Sequence, residues 1–127
     1  MSDRIKTLIY GDPGECADAE AVLRSLEPLL GFGMEFRYSH CHDDFREQLP
    51  QWKPGLSLVL PNGAEGMEGV FAVKEHHPNS LVFWFSDDQG FGMMSYRLEC
   101  DYFSVKPVTK EKIIRAFRRC AHVNPFV

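Results

Sequence analysis

The sequence predicts an α/β domain, a five-stranded parallel sheet with helices on both faces. Three observations carry this. Short apolar, β-branched runs alternate with stretches of helical period along the chain. The third and fourth runs, Leu56-Ser57-Leu58-Val59-Leu60 and Leu81-Val82-Phe83-Trp84-Phe85, are almost continuously apolar, as strands buried on both faces must be. The 127 residues, 44% apolar and 25% charged, suffice for one core and are too few for a closed eightfold barrel. Residues 1–127 are therefore read as a single domain.

The elements follow in order. Thr7-Leu8-Ile9-Tyr10 is a strand stopped by Gly11-Asp12-Pro13-Gly14. Ala17, Ala21, Val22, Leu26, Leu29 and Leu30 recur at helical spacing until Gly31 and Gly33. A second strand is expected at 34–38. Phe45, Leu49 and Trp52 mark a short helix at 43–52, stopped near Pro54. The third strand, 56–60, meets the breaker Pro61-Asn62-Gly63, and a helix at 68–77 ends before Pro78. The fourth strand, 81–85, precedes a short helix at 91–99. A fifth strand at 102–105 is followed by an amphipathic helix at 112–120, with Thr109 as its N-cap.

Charge and cysteine content narrow the function. The net charge of −4 opposes phosphate-backbone binding, so no nucleic-acid partner is expected. Arg115, Arg118 and Arg119 are read first as cations placed to suit a helix dipole. Residues 1–4 do not open an apolar signal stretch, and no apolar run approaches the ~20 residues that span a bilayer. Cys16, Cys41, Cys100 and Cys120 form no C-x-x-C pair and are expected as free thiols in a reducing cytoplasm, with no membrane partner. His40-Cys41-His42-Asp43 crowds ligand types together, but neighbouring strand residues point to opposite faces, so it is read as a strand-to-helix turn.

In a doubly wound sheet the crevice lies at the carboxyl ends of the strands. That singles out Asp12, Pro61, Ser86 and Lys106. Ser86 after an apolar strand, Lys106-Pro107 after the last strand, and Met67-Glu68-Gly69 after the third resemble a bacterial response-regulator receiver domain of two-component signalling. Ser86-Asp87-Asp88-Gln89-Gly90-Phe91, with Asp101-Tyr102-Phe103 and Lys106-Pro107-Val108, is most similar to receivers of LytTR-type regulators. The resemblance covers residues 5–120 and implies a flavodoxin-like sheet in order 2-1-3-4-5, with a role in phosphorelay signal transduction and no enzymatic activity.

In that family an acidic pair and a strand-three aspartate hold Mg²⁺, and the aspartate accepts a phosphoryl group. A hydroxyl and a lysine bind the phosphoryl oxygens. This sequence resembles the pattern only at Asp12, Ser86 and Lys106. Counting back from Met67-Glu68-Gly69, the acceptor position falls on Pro61, which has no nucleophile, and Gly11 replaces one acid. The expected site is thus a degenerate phosphorylation pocket with no catalytic residue. Mg²⁺ binding should be weak or absent, Asp12 being a remnant ligand, and no other cofactor is implied. Lys106 is expected to pair with Asp12, and Ser86 to satisfy nearby backbone groups.

The resemblance places signal output on the fourth helix, fifth strand and fifth helix. Phe91, Met93, Met94, Tyr96, Phe103 and Phe117 lie there, with Phe103 in the place of the family's switch aromatic. Met and aromatics suit adaptable contacts, so a protein partner or a homodimer is expected on that face. The chain as it stands carries no second domain, so output is expected to pass through another protein. The alternative is a small doubly wound enzyme or nucleotide binder using the strand-end crevice. No G-x-G-x-x-G or P-loop supports it.

Overall fold

The computed structural model describes residues 4–120; the lead-in at 1–3 lies outside the described residues. Five strands and five helices alternate: β1 (Arg4–Tyr10), α1 (Pro13–Leu30), β2 (Gly33–Ser39), α2 (His42–Trp52), β3 (Leu56–Val59), α3 (Gly63–His76), β4 (Leu81–Ser86), α4 (Gly92–Arg97), β5 (Tyr102–Val105) and α5 (Lys110–Arg119). The sheet order is β2-β1-β3-β4-β5, and every pairing is parallel. The parallel sheet is the one the alternation predicts, and its order is the flavodoxin-like one that the resemblance implies.

Strand periodicity sorts the core into two layers. Ile5, Ile9, Leu56, Leu58, Leu81, Phe83 and Phe85 join Ala19, Leu23, Ile113 and Ala116 of α1 and α5. Leu8, Tyr10, Val59, Val82 and Trp84 face the opposite way, toward Phe45, Leu49, Val70 and Val73 of α2 and α3. Register carries one row across each face. Ile9, Leu58, Phe83 and Tyr102 are successive partners on one side; Tyr10, Val59, Trp84 and Phe103 are successive partners on the other. Phe83 meets Phe117 edge-on at 5.2 Å between ring centroids, and Trp84 meets Phe103 at 5.1 Å.

Several boundaries differ from expectation. β1 begins at Arg4, three residues early, with exposed Arg4 and Lys6 alternating with buried Ile5 and Thr7. The helix expected at 68–77 starts at Gly63, since Asn62 has the extended backbone of an N-cap and Pro61-Asn62 leads directly into the first turn. The helix expected at 91–99 shrinks to α4, preceded by a 3-10 turn at Gln89–Phe91 in which the Asp88 carboxylate accepts from Gly90 N at 2.8 Å. α5 starts at Lys110, two residues early, with Thr109 Oγ1 accepting from Lys112 N as expected of the cap. α1 and α2 each contain an internal proline, Pro28 and Pro50, and end on left-handed residues, Gly31 and Lys53.

Burial governs the titration of this core. It pushes the Cys100 thiol up to about 12 and the Cys16 and Cys120 thiols up to about 11; the nearby carboxylates of Asp12 and Glu15 add to the effect at Cys16. It also pushes the Tyr10 hydroxyl to about 12, with Glu65, Cys41, Glu68 and Asp43 adding to the shift. The folded chain therefore keeps protons that the unfolded chain releases near 9 for thiols and 10 for tyrosine. Stability from these groups is complete below those values and is lost as pH rises toward 11–12. Urea midpoints should therefore fall steadily above pH ~9. A midpoint unchanged from neutral pH into that range would contradict this account.

Candidate functional site

The strand ends bring Asp12, Pro61, Ser86 and Lys106 to one edge of the sheet. Asp12 follows β1 and serves as the N-cap of α1, its exposed carboxylate accepting from Glu15 N at 2.8 Å. Ser86 ends β4 fully buried, and its hydroxyl accepts from Asp88 N at 3.2 Å, the local role expected of it. Lys106 follows β5; its backbone N donates to Ser86 O at 2.9 Å, and the Lys106–Pro107 peptide is cis.

The expected Asp12–Lys106 pair does not form. Lys106 Nζ instead donates to Glu15 Oε2 at 2.5 Å. Asp12 is committed to the helix cap, and Glu15, one turn on, presents its carboxylate to the last strand end. The signal for Glu15 is in the sequence: Asp12-Pro13-Gly14-Glu15 has the spacing of a capping box. In the usual box that glutamate turns back to the N-cap amide; here a lysine remote in sequence takes it.

The loop after β3 is tied down on two sides. Asn62 Oδ1 accepts from Asp87 N at 3.0 Å, joining the β3 and β4 ends. The Pro61 carbonyl lies against Gly66 of α3, where a Cβ would stand 2.2 Å from the carbonyl oxygen and 2.8 Å from Trp84 Nε1. Only glycine fits there. Gly11 is constrained less severely: a Cβ on it would stand 3.0 Å from Leu60 Cβ and 3.3 Å from Leu60 Cδ1, so the leucine would have to give way. Buried Leu60 therefore holds the volume into which a side chain at position 11 would begin to grow. Sequence inspection marked Gly11 as a missing acid and had no signal for Leu60 as the occupant.

Beside these residues, a cleft of about 280 Å³ opens between α1 and the β5–α5 connection. Ala19, Val22, Leu60, Pro107 and Val108 make its apolar wall, with Glu15, Asp18 and Lys106 at its edge. Of the side chains expected on the output face, Met93 is 74% exposed and Tyr96 87%. Phe91, Met94 and Phe103 are half-buried against the α2–α3 side of the core, and Phe117 packs on the α1–α5 side. Phe103 is thus a packing residue on Trp84 before it is a contact residue. His40 and Cys41 are exposed, His40 Nδ1 lies 2.9 Å from Gly11 O, and Cys41 is the N-cap residue of α2. Only 40–41 form the strand-to-helix turn; His42 and Asp43, expected in it, are the first residues of α2.

Replacing Gly11 by Asp should destabilise the fold by about 1–3 kcal/mol, because Leu60 must shift to admit the new side chain. Combined with Leu60→Ala, the loss should be smaller than the sum of the two single losses. Thermal melts of the four proteins test this, and strict additivity would contradict the packing account.

No protein-family model matches the sequence, and no curated protein is similar to it. Solved structures are similar. The signal receiver domain of a modulated diguanylate cyclase from Desulfovibrio desulfuricans G20 superposes with a TM-score of 0.69 at 21% identity, over 94% of this chain and 95% of that one. A CheY-like receiver domain protein from Methanospirillum hungatei JF-1 gives 0.70 at 15% identity, over 93% and 94%. An orphan response regulator of H. pylori gives 0.70 at 15%, over 94% and 98%. From β1 to α5, the chain has the fold of response-regulator receiver domains.

Proposed function

We propose that this protein is a degenerate receiver of signal transduction, working in the cytoplasm as a phosphorylation-independent interaction module. One observation carries the reading: the strand-end position where a receiver would hold its phosphoacceptor is Pro61. The surroundings support it. Asp12 is spent on the α1 cap, Leu60 fills the space beside Gly11, and the Lys106 ammonium is held by Glu15. An acyl phosphate needs a carboxylate oxygen attacking in line, with a divalent ion bridging to the transferred group. Neither a nucleophile at Pro61 nor a second carboxylate at Gly11 is available. The similarity in local pattern to LytTR-type receivers adds to the signalling reading. Free thiols and, among the described residues, the lack of a helix long and apolar enough to cross a membrane agree with the location.

With the pocket fixed, output rests on what the α4, β5 and α5 side presents. Met93 and Tyr96 are large, exposed and adjacent to the edge strand, which suits a protein partner or a second copy. A second reading, a small-ligand binder, is favoured by the cleft between α1 and the β5–α5 connection. Its volume lies near the lower limit for ligand sites. A ligand at 100 times its Kd would stabilise the chain by about 2.7 kcal/mol, a shift that thermal melts with nucleotides and flavin would reveal.

Intact-mass spectrometry after incubation with acetyl phosphate and Mg²⁺ should show no added mass. Beryllofluoride with Mg²⁺ should likewise leave the thermal midpoint unchanged. One acid-labile phosphoryl group per chain would overturn the reading.

A further inference from the structure

The charge of this chain is unevenly distributed. Residues 97–119 hold seven of its fourteen cations and three of its eighteen acids. α5 alone carries Lys110, Lys112, Arg115, Arg118 and Arg119 against Glu111. Its inner stripe, Ile113 and Ala116, is buried in the core, so the cations form the outer one. Lys112 is used internally, donating to Val105 O at 2.6 Å and Pro107 O at 3.0 Å. Lys110, Arg115, Arg118 and Arg119 are exposed, and none pairs with a carboxylate among the described residues. Glu111, one turn before Arg115, closes no ion pair with it. Elsewhere Arg24, Arg46, Lys74 and Lys106 have carboxylate partners, whereas Arg4, Lys6, Arg37 and Lys53 close no ion pair among the described residues but are dispersed over β1, β2 and the end of α2, with Lys6 and Arg37 over the Trp52 ring.

The helix dipole explains only part of this. Arg118 and Arg119 lie in the last turn of α5, where cations are favoured. Lys110 lies in the first turn, where a cation is unfavourable, and Arg115 lies between. Arg97, exposed and without an ion pair among the described residues at the end of α4, belongs to another element across the same edge strand. Arg119 lies 5.9 Å from the ring centroid of Tyr102 at the start of that strand, which places α5's basic end beside β5. Met93 and Tyr96 stand exposed on α4 nearby.

We infer that the outer row of α5, with Lys110, Arg115, Arg118 and Arg119, docks an acidic segment of a partner protein. The inference rests on the reading of the α4–β5–α5 side as the partner-facing side, and it adds the partner's chemistry. Carboxylates of the partner meet the unpaired guanidinium groups, and its apolar side chains meet Met93 and Tyr96. A short segment suits the row better than duplex DNA does. Ten helical residues extend only ~15 Å, and beyond them a continuous phosphate charge meets an otherwise acidic surface, with seven cations against fifteen acids.

Amide NMR titration tests this with the full chain and a synthetic peptide of alternating Asp or Glu with Leu or Phe. Controls are the same peptide with Lys for each acid, a short DNA duplex, and phosphatidylserine vesicles. The acidic peptide should shift α5 and β5 amides, with weaker binding at higher salt. The combined Arg115→Glu, Arg118→Glu and Arg119→Glu variant should lose at least about tenfold in affinity, and the corresponding Gln variant less. Circular dichroism checks that both remain folded. Unchanged affinity in both variants overturns the inference. Tighter binding of DNA or vesicles through α5 overturns it in favour of another class of partner. If the peptide shifts only α4 amides and Met93→Ala with Tyr96→Ala abolishes binding, the partner-facing side stands and its acidic chemistry fails. Shifts confined to other elements remove both.

Discussion

All six residues of β4, Leu81–Ser86, are buried, so the sheet must be covered on both faces at its centre. α1 and α5 cover Phe83 and Phe85. On the opposite face Trp84 is the largest fully buried side chain. Its indole lies close to Gly66 of α3, and its ring meets Phe91 at 5.6 Å and Phe103 at 5.1 Å. The seat of α3, the turn before α4 and the ring of β5 therefore share one side chain. Because the same glycine touches the Pro61 carbonyl, the loop at the strand ends is packed against this aromatic cluster. Close packing of this kind makes discrete arrangements more stable than intermediate ones.

Electrostatics at the strand ends follow from which carboxylates are already engaged. Asp12 and Asp88 both accept backbone amides, and Glu15 accepts the Lys106 ammonium. Lys106 is about one-fifth exposed and Glu15 about one-third, so the pair contributes a modest ~0–1 kcal/mol and mainly sets direction. It draws the lysine across to α1, away from the loop after β3. An apolar leucine under Gly11 lies beside these engaged groups, while the exposed Asp87 carboxylate after β4 closes no ion pair among the described residues. Among the described residues, the densest group of cations without an ion pair is on the outer side of α5.

The sequence by itself determined the fold class, because apolar periodicity is a property of neighbouring residues. Leu56–Leu60 and Leu81–Phe85 could be buried only between two helical layers, and Thr109 capped the last helix as its side chain allows. Element ends were less legible: Asn62 begins a helix where Pro61-Asn62-Gly63 looked like a break, since capping and turning use the same residue types. At the strand ends, sequence predicts Asp12, Pro61, Ser86 and Lys106 along the carboxyl edge of the sheet, with no nucleophile at Pro61. Tertiary structure decided how they are partnered. Glu15 takes Lys106 across 91 positions of sequence, and Leu60 takes the space beside Gly11. Such choices depend on side-chain direction and on competition among nearby donors, which no local pattern encodes. For the same reason the basic composition of α5 is visible in the sequence, whereas the absence of carboxylate partners for its outer row among the described residues is set by the fold.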